Sequence, residues 1–215
     1  MTKSGVIWPA VLVLSLCVAL YSFRFIGAPF GIWLSVDPAI EQVFDQANLA
    51  MTAHTFFGPL ALLAGPFQFW TALRARRPAL HRWTGRVYVL SCTVAGVAGL
   101  AAALHASGGP VATIGFGTLA IAWLATTVAA WIAATRRDFD LHRQLMLYSF
   151  AMTFGAVTLR LQIPLGFILF HAQSYRAMSP VLSFTSWIPN VLIIWIYSLG
   201  FNRGRGLAAS RAGTA

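Results

Sequence analysis

The stretch VYVLSCTVAGVAGLAAALHASGGPVATIGFGTLAIAWLATTVAAWIAAT, residues 87–135, decides the fold class. It contains no Asp, Glu, Lys or Arg over 49 residues, and a membrane-spanning helix needs roughly 20 apolar residues. The stretch therefore has room for two spans. The run Ser107-Gly108-Gly109-Pro110 predicts the turn between them, because clustered Gly and Pro break helices.

The remainder of the chain has the same character. Of its 215 residues, 58% are hydrophobic and 9% are charged, and the mean hydropathy is +0.72. A soluble domain carries about a quarter of its residues as charged side chains. The composition therefore predicts an all-α polytopic membrane helical bundle in one integral membrane domain. Its six predicted spans lie at about 5–23, 51–73, 87–106, 111–135, 144–170 and 183–201.

The positions of the basic residues predict the orientation, because loops rich in Lys and Arg stay cytoplasmic. With both termini inside, twelve of the fifteen basic residues face the cytoplasm: Lys3, Arg74, Arg76, Arg77, Arg82, Arg86, Arg136, Arg137, Arg143, Arg203, Arg205 and Arg211. The net charge of +10 is therefore a matter of topology. The arginines lie at span ends instead of forming a basic domain, so nucleic acid is not an expected partner.

Two predicted cytoplasmic loops resemble each other. Arg76-Arg77 precedes Leu80-His81-Arg82, and Arg136-Arg137 precedes Leu141-His142-Arg143. Two hairpins of equal topology predict a four-helix core, formed by spans two to five, with an approximate two-fold axis along the membrane normal. His81 and His142 would then lie at equivalent depths. A chance match, or constraints shared by short loops, remains the alternative.

Three predicted spans carry a stripe of small or polar residues that includes a histidine, at about 100° per residue. The stripes are His54, Gly58, Ala61, Gly65 and Gln68 on the second span; His81, Gly85, Tyr88, Cys92, Gly99 and Ala103 on the third; and His142, Met146, Ser149, Thr153, Ala156 and Arg160 on the fifth. Small residues on membrane helices usually indicate close backbone packing. They also suit a flat macrocycle held by axial histidines. Both interpretations stay open.

The depth of each candidate limits these interpretations. His81 and His142 each precede an arginine, so Arg82 and Arg143 indicate the headgroup level, where all four side chains can bind lipid phosphates. Arg160 lies 18 residues beyond His142, on the order of 27 Å along a helix. It can snorkel outward, pair with Glu41 or Asp45, or contact a ligand such as a haem propionate or a quinone oxygen.

The segment Pro38 to Ala50, between the first two spans, has the pattern of a short amphipathic helix. We expect it to cover the outer mouth of the bundle.

The strings His54-Thr-Phe-Phe-Gly58, Gly65-Pro-Phe-Gln-Phe69 and Leu80-His-Arg-Trp-Thr-Gly-Arg-Val-Tyr88 resemble a bacterial family of predicted membrane proteins, domain of unknown function 2306. The stretch from His142 to Arg160 fits the same family. The resemblance covers His54 to Pro164 and implies a multi-pass protein of the bacterial inner membrane.

The HRxxG string at the start of a predicted span is similar to the di-haem membrane cytochromes of the b561 and ferric-reductase type. That resemblance implies a four-helix core with bis-histidine haem sites on both membrane sides. Span four, residues 111–135, contains no histidine. A partner for His54 would therefore be His105 or His171, or else the chain would bind only one haem.

The leading functional prediction is a b-type-cytochrome-like transmembrane electron carrier, a membrane oxidoreductase that binds haem b. The predicted iron ligands are His81 and His142, with His54 less certain, and the other cofactor-binding residues are Arg82, Arg143 and Arg160. A quinone or a redox protein would be its partner. The alternatives are a small-solute or lipid transporter, with Arg160 and His54 lining its path, and an accessory or assembly subunit of a larger membrane complex.

Overall fold

The computed structural model describes residues 4–25 and 37–199, and every regular element in these two ranges is helical. The helices are α1 (Ser4–Ser22), α2 (Pro38–Gln46), α3 (Asn48–Gln68), α4 (Thr71–Arg76), α5 (Pro78–Ala103), α6 (Gly109–Thr135), α7 (Phe139–Thr153), α8 (Gly155–Leu169) and α9 (Tyr175–Thr185). Helix continues over 188–199 after a turn at 186–187. The predicted all-α bundle is confirmed. Lys3, Arg203, Arg205 and Arg211 lie outside the described residues, as does the predicted end of span six.

Within residues 4–25 and 37–199, five segments are long and apolar enough to cross a membrane: Trp8–Phe25, Pro78–Ala103, Gly109–Thr135, Phe139–Leu169 and Tyr175–Leu199. Helices α2 and α3 form a sixth when taken together, although they meet at an angle of 114°. The predicted third span, 87–106, corresponds to Pro78–Ala103, which starts nine residues before position 87. The predicted sixth span, 183–201, corresponds to Tyr175–Leu199, which starts eight residues before position 183. In both cases the helix extends beyond its most apolar part, through polar turns at the end of the bundle.

Local sequence explains where several helices begin. Asp37 accepts a hydrogen bond from the Ala39 amide at 2.8 Å, and Asp138 accepts one from the Leu141 amide at 3.1 Å. Such side chains satisfy amides that the first helical turn leaves unpaired. Proline stands in the first turn of α2, α5 and α6, where its missing amide is not needed. Gly109 begins α6 with a φ of +73°, which glycine adopts without strain.

Four helices form a closed ring: α3 packs against α5, α5 against α6, α6 against α7, and α7 against α3. This is the four-helix core predicted from spans two to five. The centre of the ring holds Tyr88, Cys92, Ala95, Trp123 and Met146, all buried. Outside it, α1 packs on α3 and α8, and α9 packs on α6 and α8.

The outer surface of the bundle is apolar. Ile114, Ile121, Ile168 and Ile193 each expose more than half of their surface. Such a continuous apolar exterior suits lipid and not water. The protein is therefore a multi-pass membrane protein whose helices contact the bilayer.

Candidate functional site

His81 and His142 lie at the same end of the bundle, which is defined here as its inner end. Each histidine is the fourth residue of its helix, α5 for His81 and α7 for His142. Both side chains are half-buried, and they lie close enough for their charges to interact. The loop similarity in the sequence thus corresponds to equivalent positions at the start of two helices in the same ring.

The two imidazoles differ in their hydrogen bonds. Nδ1 of His142 is 2.9 Å from the carbonyl oxygen of Ala130 on α6. Because a carbonyl oxygen only accepts, Nδ1 carries the proton, and Nε2 keeps its lone pair in the neutral ring. Nδ1 of His81 is buried and has no hydrogen-bond partner in the part of the chain that the structure describes.

The arginines that follow these histidines point outward. Arg82 is exposed. Arg143 is also exposed and lies 3.8 Å from the Asp140 carboxylate one turn earlier. Neither lines the cavity described below. Arg82 and Arg143 therefore lie on the surface of the inner end, where each remains a predicted contact for a cofactor or for lipid phosphates.

A hydrogen-bonded cluster of side chains occupies the middle of the ring. The Tyr88 hydroxyl lies 2.9 Å from Ser149 Oγ and 2.9 Å from Thr153 Oγ1. Trp123 Nε1 donates to Thr153 Oγ1 at 2.9 Å, and Thr127 Oγ1 lies 2.7 Å from Ser149 Oγ. The predicted stripes of α5 and α7 therefore face each other across the core. The contributions of α6, Trp123 and Thr127, were missed because its sequence shows no polar stripe.

The outer half of the bundle, beyond this cluster, contains a cavity of about 870 Å³. That volume lies within the range of small-molecule sites, roughly 300–1,000 Å³. Trp123 and Thr153 of the central cluster line its floor, and Gly58, Ala95 and Gly99 form part of its wall. A Cβ on Gly58 would meet no atom within 4 Å, so the lack of a side chain at this position leaves open space in the cavity.

His54 faces this cavity in a fixed orientation. Its Nδ1 lies 2.9 Å from the carbonyl oxygen of Ala95 on α5, so Nδ1 donates and Nε2 retains a lone pair. A Cβ on Gly99 would lie 2.8 Å from that Nδ1. Glycine at position 99 is what allows the ring to reach the Ala95 carbonyl. A fixed Nδ1–H is also the arrangement that metal-ligating histidines use.

Arg160 faces the same cavity from α8. Its Nη1 donates to the Ala156 carbonyl oxygen at 3.1 Å, one turn nearer the bundle centre, so the side chain does not extend toward the outer surface. The expected pairing with Glu41 or Asp45 is not seen: within residues 4–25 and 37–199, no carboxylate lies in salt-bridge distance of Arg160. Tyr21, Arg24, Tyr175 and His54 lie close enough to Arg160 for their charges to interact.

His105 and His171 stand apart from His54. His105 lines a separate, shallower pocket with Gln42 and Arg176. His171 is exposed in the turn after α8, with a φ of 47°. Neither lines the 870 Å³ cavity, so neither takes the place of a second histidine opposite His54.

Helix α2 covers the outer mouth of the cavity, as the amphipathic pattern predicts. Ala39, Val43 and Phe44 are its buried residues, and Val43 and Phe44 line the cavity. Phe44 stacks on Phe25 with ring centroids 6.0 Å apart. From α9, Arg176 donates a hydrogen bond to Gln42 on the other face of α2.

Comparison with known proteins gives one result. The family described as "Predicted membrane protein (DUF2306)" matches residues 51–198. The matched region contains α4 to α9 and all but the first three residues of α3, and with them all five histidines of the chain. No curated protein and no solved structure matches the chain.

Proposed function

We propose that this chain, which belongs to the DUF2306 family of predicted membrane proteins, is an electron carrier of the bacterial inner membrane that binds one haem b. The proposed iron ligands are His81 and His142. The observation that carries the proposal is the placement of two half-buried histidines at the same end of a four-helix ring, each as the fourth residue of its helix. A bound haem supplies reversible one-electron transfer.

The hydrogen bond of the His142 ring fits axial ligation. In His142, the Nδ1–H bond to Ala130 fixes the tautomer and leaves the Nε2 lone pair for the iron. In His81, the buried Nδ1 without a partner among the described residues marks a ring whose bonding capacity is not met by the protein. Metal-ligating histidines usually donate their second ring N–H to an acceptor, and among the described residues His81 has no such acceptor, so the hydrogen-bond support for axial ligation comes from His142.

Basic side chains at the inner end suit the acidic groups of a haem. Arg74 and Arg82 lie close enough to His81 to interact with its charge, and Arg143 follows His142 on an exposed turn. We propose that Arg82 and Arg143 neutralise the haem propionates at headgroup level. The same positions also suit lipid phosphates.

An outer haem has weaker support, because His54 is the only one of the five histidines that lines the outer cavity. We therefore place the haem at the inner pair alone. Electron transfer then requires a partner at each membrane face, a quinone or a redox protein, and membership of a larger complex would provide one.

Ligand mapping by absorption spectroscopy tests the haem site. In dithionite-reduced protein, His81→Ala and His142→Ala should each remove or broaden the α and β bands. The matched controls, His105→Ala and His171→Ala, should leave them unchanged, and so should His54→Ala. Bands that survive both inner variants and disappear in His54→Ala would overturn the assignment.

A small-solute or lipid transporter is the second candidate, and the cavity favours it. His54 of the four-helix ring and Arg160 of α8 both face this space, and an arginine within a span is a functional residue by default. For a transporter, Arg160→Ala should abolish flux in proteoliposomes without changing any absorbance band. For an electron carrier, the absorbance changes should follow the inner histidines.

A further inference from the structure

The outer cavity combines apolar walls with an excess of positive charge. Its charged lining residues are Arg24, Arg160 and Asp37, which is one more cation than anion when His54 is neutral. Most of the remaining lining consists of aliphatic and aromatic side chains, with Ala and Gly along α5. A site of this kind favours a ligand with an apolar body and one acidic group.

Arg160 is the residue that defines the acidic group. A guanidinium has five N–H donors in a fork that matches a carboxylate or a phosphate. Nη1 of Arg160 donates to the Ala156 carbonyl oxygen. No carboxylate in the described ranges accepts a hydrogen bond from the other donors of this guanidinium. An arginine at this depth is costly in a membrane unless it is paired. An anionic ligand in the cavity supplies the pair.

His54 and two tyrosines complete the polar side of the cavity. Nε2 of His54 accepts a hydrogen bond while Nδ1 is held by Ala95, and Tyr21 and Tyr175 lie close to Arg160. A phosphate monoanion offers both a P–OH donor and acceptor oxygens, so it satisfies this set, whereas a carboxylate offers only acceptor oxygens, which suit Arg160 and the tyrosine hydroxyls. The apolar walls of the cavity and the inner face of α2 then surround a hydrocarbon chain.

We propose that the outer cavity is a binding site for a single-chain anionic amphipath, with its carboxylate or phosphate at Arg160 and its hydrocarbon chain along the apolar walls. This site is separate from the haem site proposed for the inner histidines and does not depend on it. A free fatty acid and an alkyl or prenyl phosphate share the required chemistry.

Saturable binding of radiolabelled palmitate to the full chain tests the proposal. The protein is placed in nanodiscs of phosphatidylcholine, and empty nanodiscs correct for partition into the lipid. Unlabelled dodecyl phosphate should displace palmitate, and hexadecanol should not. The ratio of the palmitate and dodecyl phosphate affinities tells whether a carboxylate or a phosphate is preferred. Equal displacement by hexadecanol would overturn recognition by charge.

Matched variants separate the head and the chain of the ligand. Arg160→Gln should weaken palmitate binding about ten-fold or more, since a charge-assisted hydrogen bond is lost, and Arg160→Lys should restore most of it. Arg136→Gln changes an exposed arginine in the turn after α6 that lines neither pocket, so it should bind as the wild type does. Equal binding by Arg160→Gln and the wild type would contradict the proposal.

Gly58→Leu tests the cavity itself without a change of charge. A Cβ at Gly58 meets no atom within 4 Å, so a leucine side chain fills open space and should block palmitate without disturbing the helix. Haem content is measured in the same samples. Its retention in Gly58→Leu and Arg160→Gln keeps the two sites distinct, whereas its loss together with palmitate binding would make the cavity the haem site and overturn this proposal.

Discussion

Tyr88 places a phenol hydroxyl at the centre of the ring, where it is fully buried. Its two hydrogen bonds, to Ser149 and Thr153, join α5 to α7. Tyr88→Phe should lower the free energy of unfolding by about 1–2 kcal/mol, because hydrogen bonds between membrane helices are worth about that much at most.

The control for this substitution is Tyr148→Phe. The Tyr148 hydroxyl is 3.4 Å from Ser198 Oγ in a half-buried position, so its loss should change stability by less than about 0.5 kcal/mol. Unfolding in mixed detergent micelles measures both variants. Equal stability of the two variants would mean that the central cluster does not hold the helices together.

Two glycines of α3 differ in their surroundings, which makes them a matched pair. A Cβ at Gly65 would overlap the Phe150 ring, whereas a Cβ at Gly58 meets open space. Gly65→Ala should destabilise the protein by about 1–3 kcal/mol through overpacking. Gly58→Ala should be neutral or stabilise it by up to about 1 kcal/mol, since alanine favours helix. Thermal unfolding compares the two, and the opposite ranking would contradict this packing.

At the residue scale, the sequence predicts the inward-facing stripes but not their contacts. His54, Tyr88, Ser149 and Arg160 lie on predicted stripes and face the interior. The helical period of the sequence suffices to predict this, because each stripe belongs to a single predicted span; the stripe of the fifth span continues from α7 onto α8. The Ala95 and Ala130 carbonyls that orient two histidines belong to neighbouring helices. No local pattern marks a backbone carbonyl as an acceptor.

Helix α2 is the element that covers the outer cavity, and Phe44 anchors it. Phe44 is only 1% exposed, whereas Leu49, in the first turn of α3, is 84% exposed. Phe44→Ala should loosen α2 and speed hydrogen exchange of its amides, because exchange follows local opening. Leu49→Ala removes a side chain of similar type without buried contacts and should leave exchange unchanged. Equal exchange in both variants would show that Phe44 does not hold the helix.

At the element scale, helix starts are more predictable than bends. Asp37-Pro38 carries a cap and a first-turn proline, and the amphipathic pattern behind it gives α2. The 114° angle between α2 and α3 falls near Ala47, which carries no turn signal. The break between α7 and α8 at Phe154 has no signal beyond Gly155. There, α8 approaches α9 so closely that a Cβ on Gly155 would lie 3.3 Å from the Ser186 carbonyl oxygen. This close approach at Gly155, which is a tertiary contact and not a local propensity, accompanies the break between α7 and α8.

The orientation of the whole molecule is testable by cysteine labelling. With Cys17 and Cys92 replaced by serine, Asp138→Cys lies in the turn between α6 and α7, and Gln173→Cys lies in the turn after α8. The positive-inside rule places the first turn in the cytoplasm and the second outside. An impermeant maleimide should therefore label Gln173→Cys in intact cells, and Asp138→Cys only after permeabilisation. The reverse pattern would invert the topology.

The haem content of the wild-type protein tests the central functional proposal most directly. The protein is purified in a mild detergent from haem-replete cells, and haem is quantified per chain alongside oxidised and dithionite-reduced spectra. A haem held by His81 and His142 predicts a Soret band, sharp reduced α and β bands, and about one haem per chain. A colourless protein with no haem would contradict the proposal.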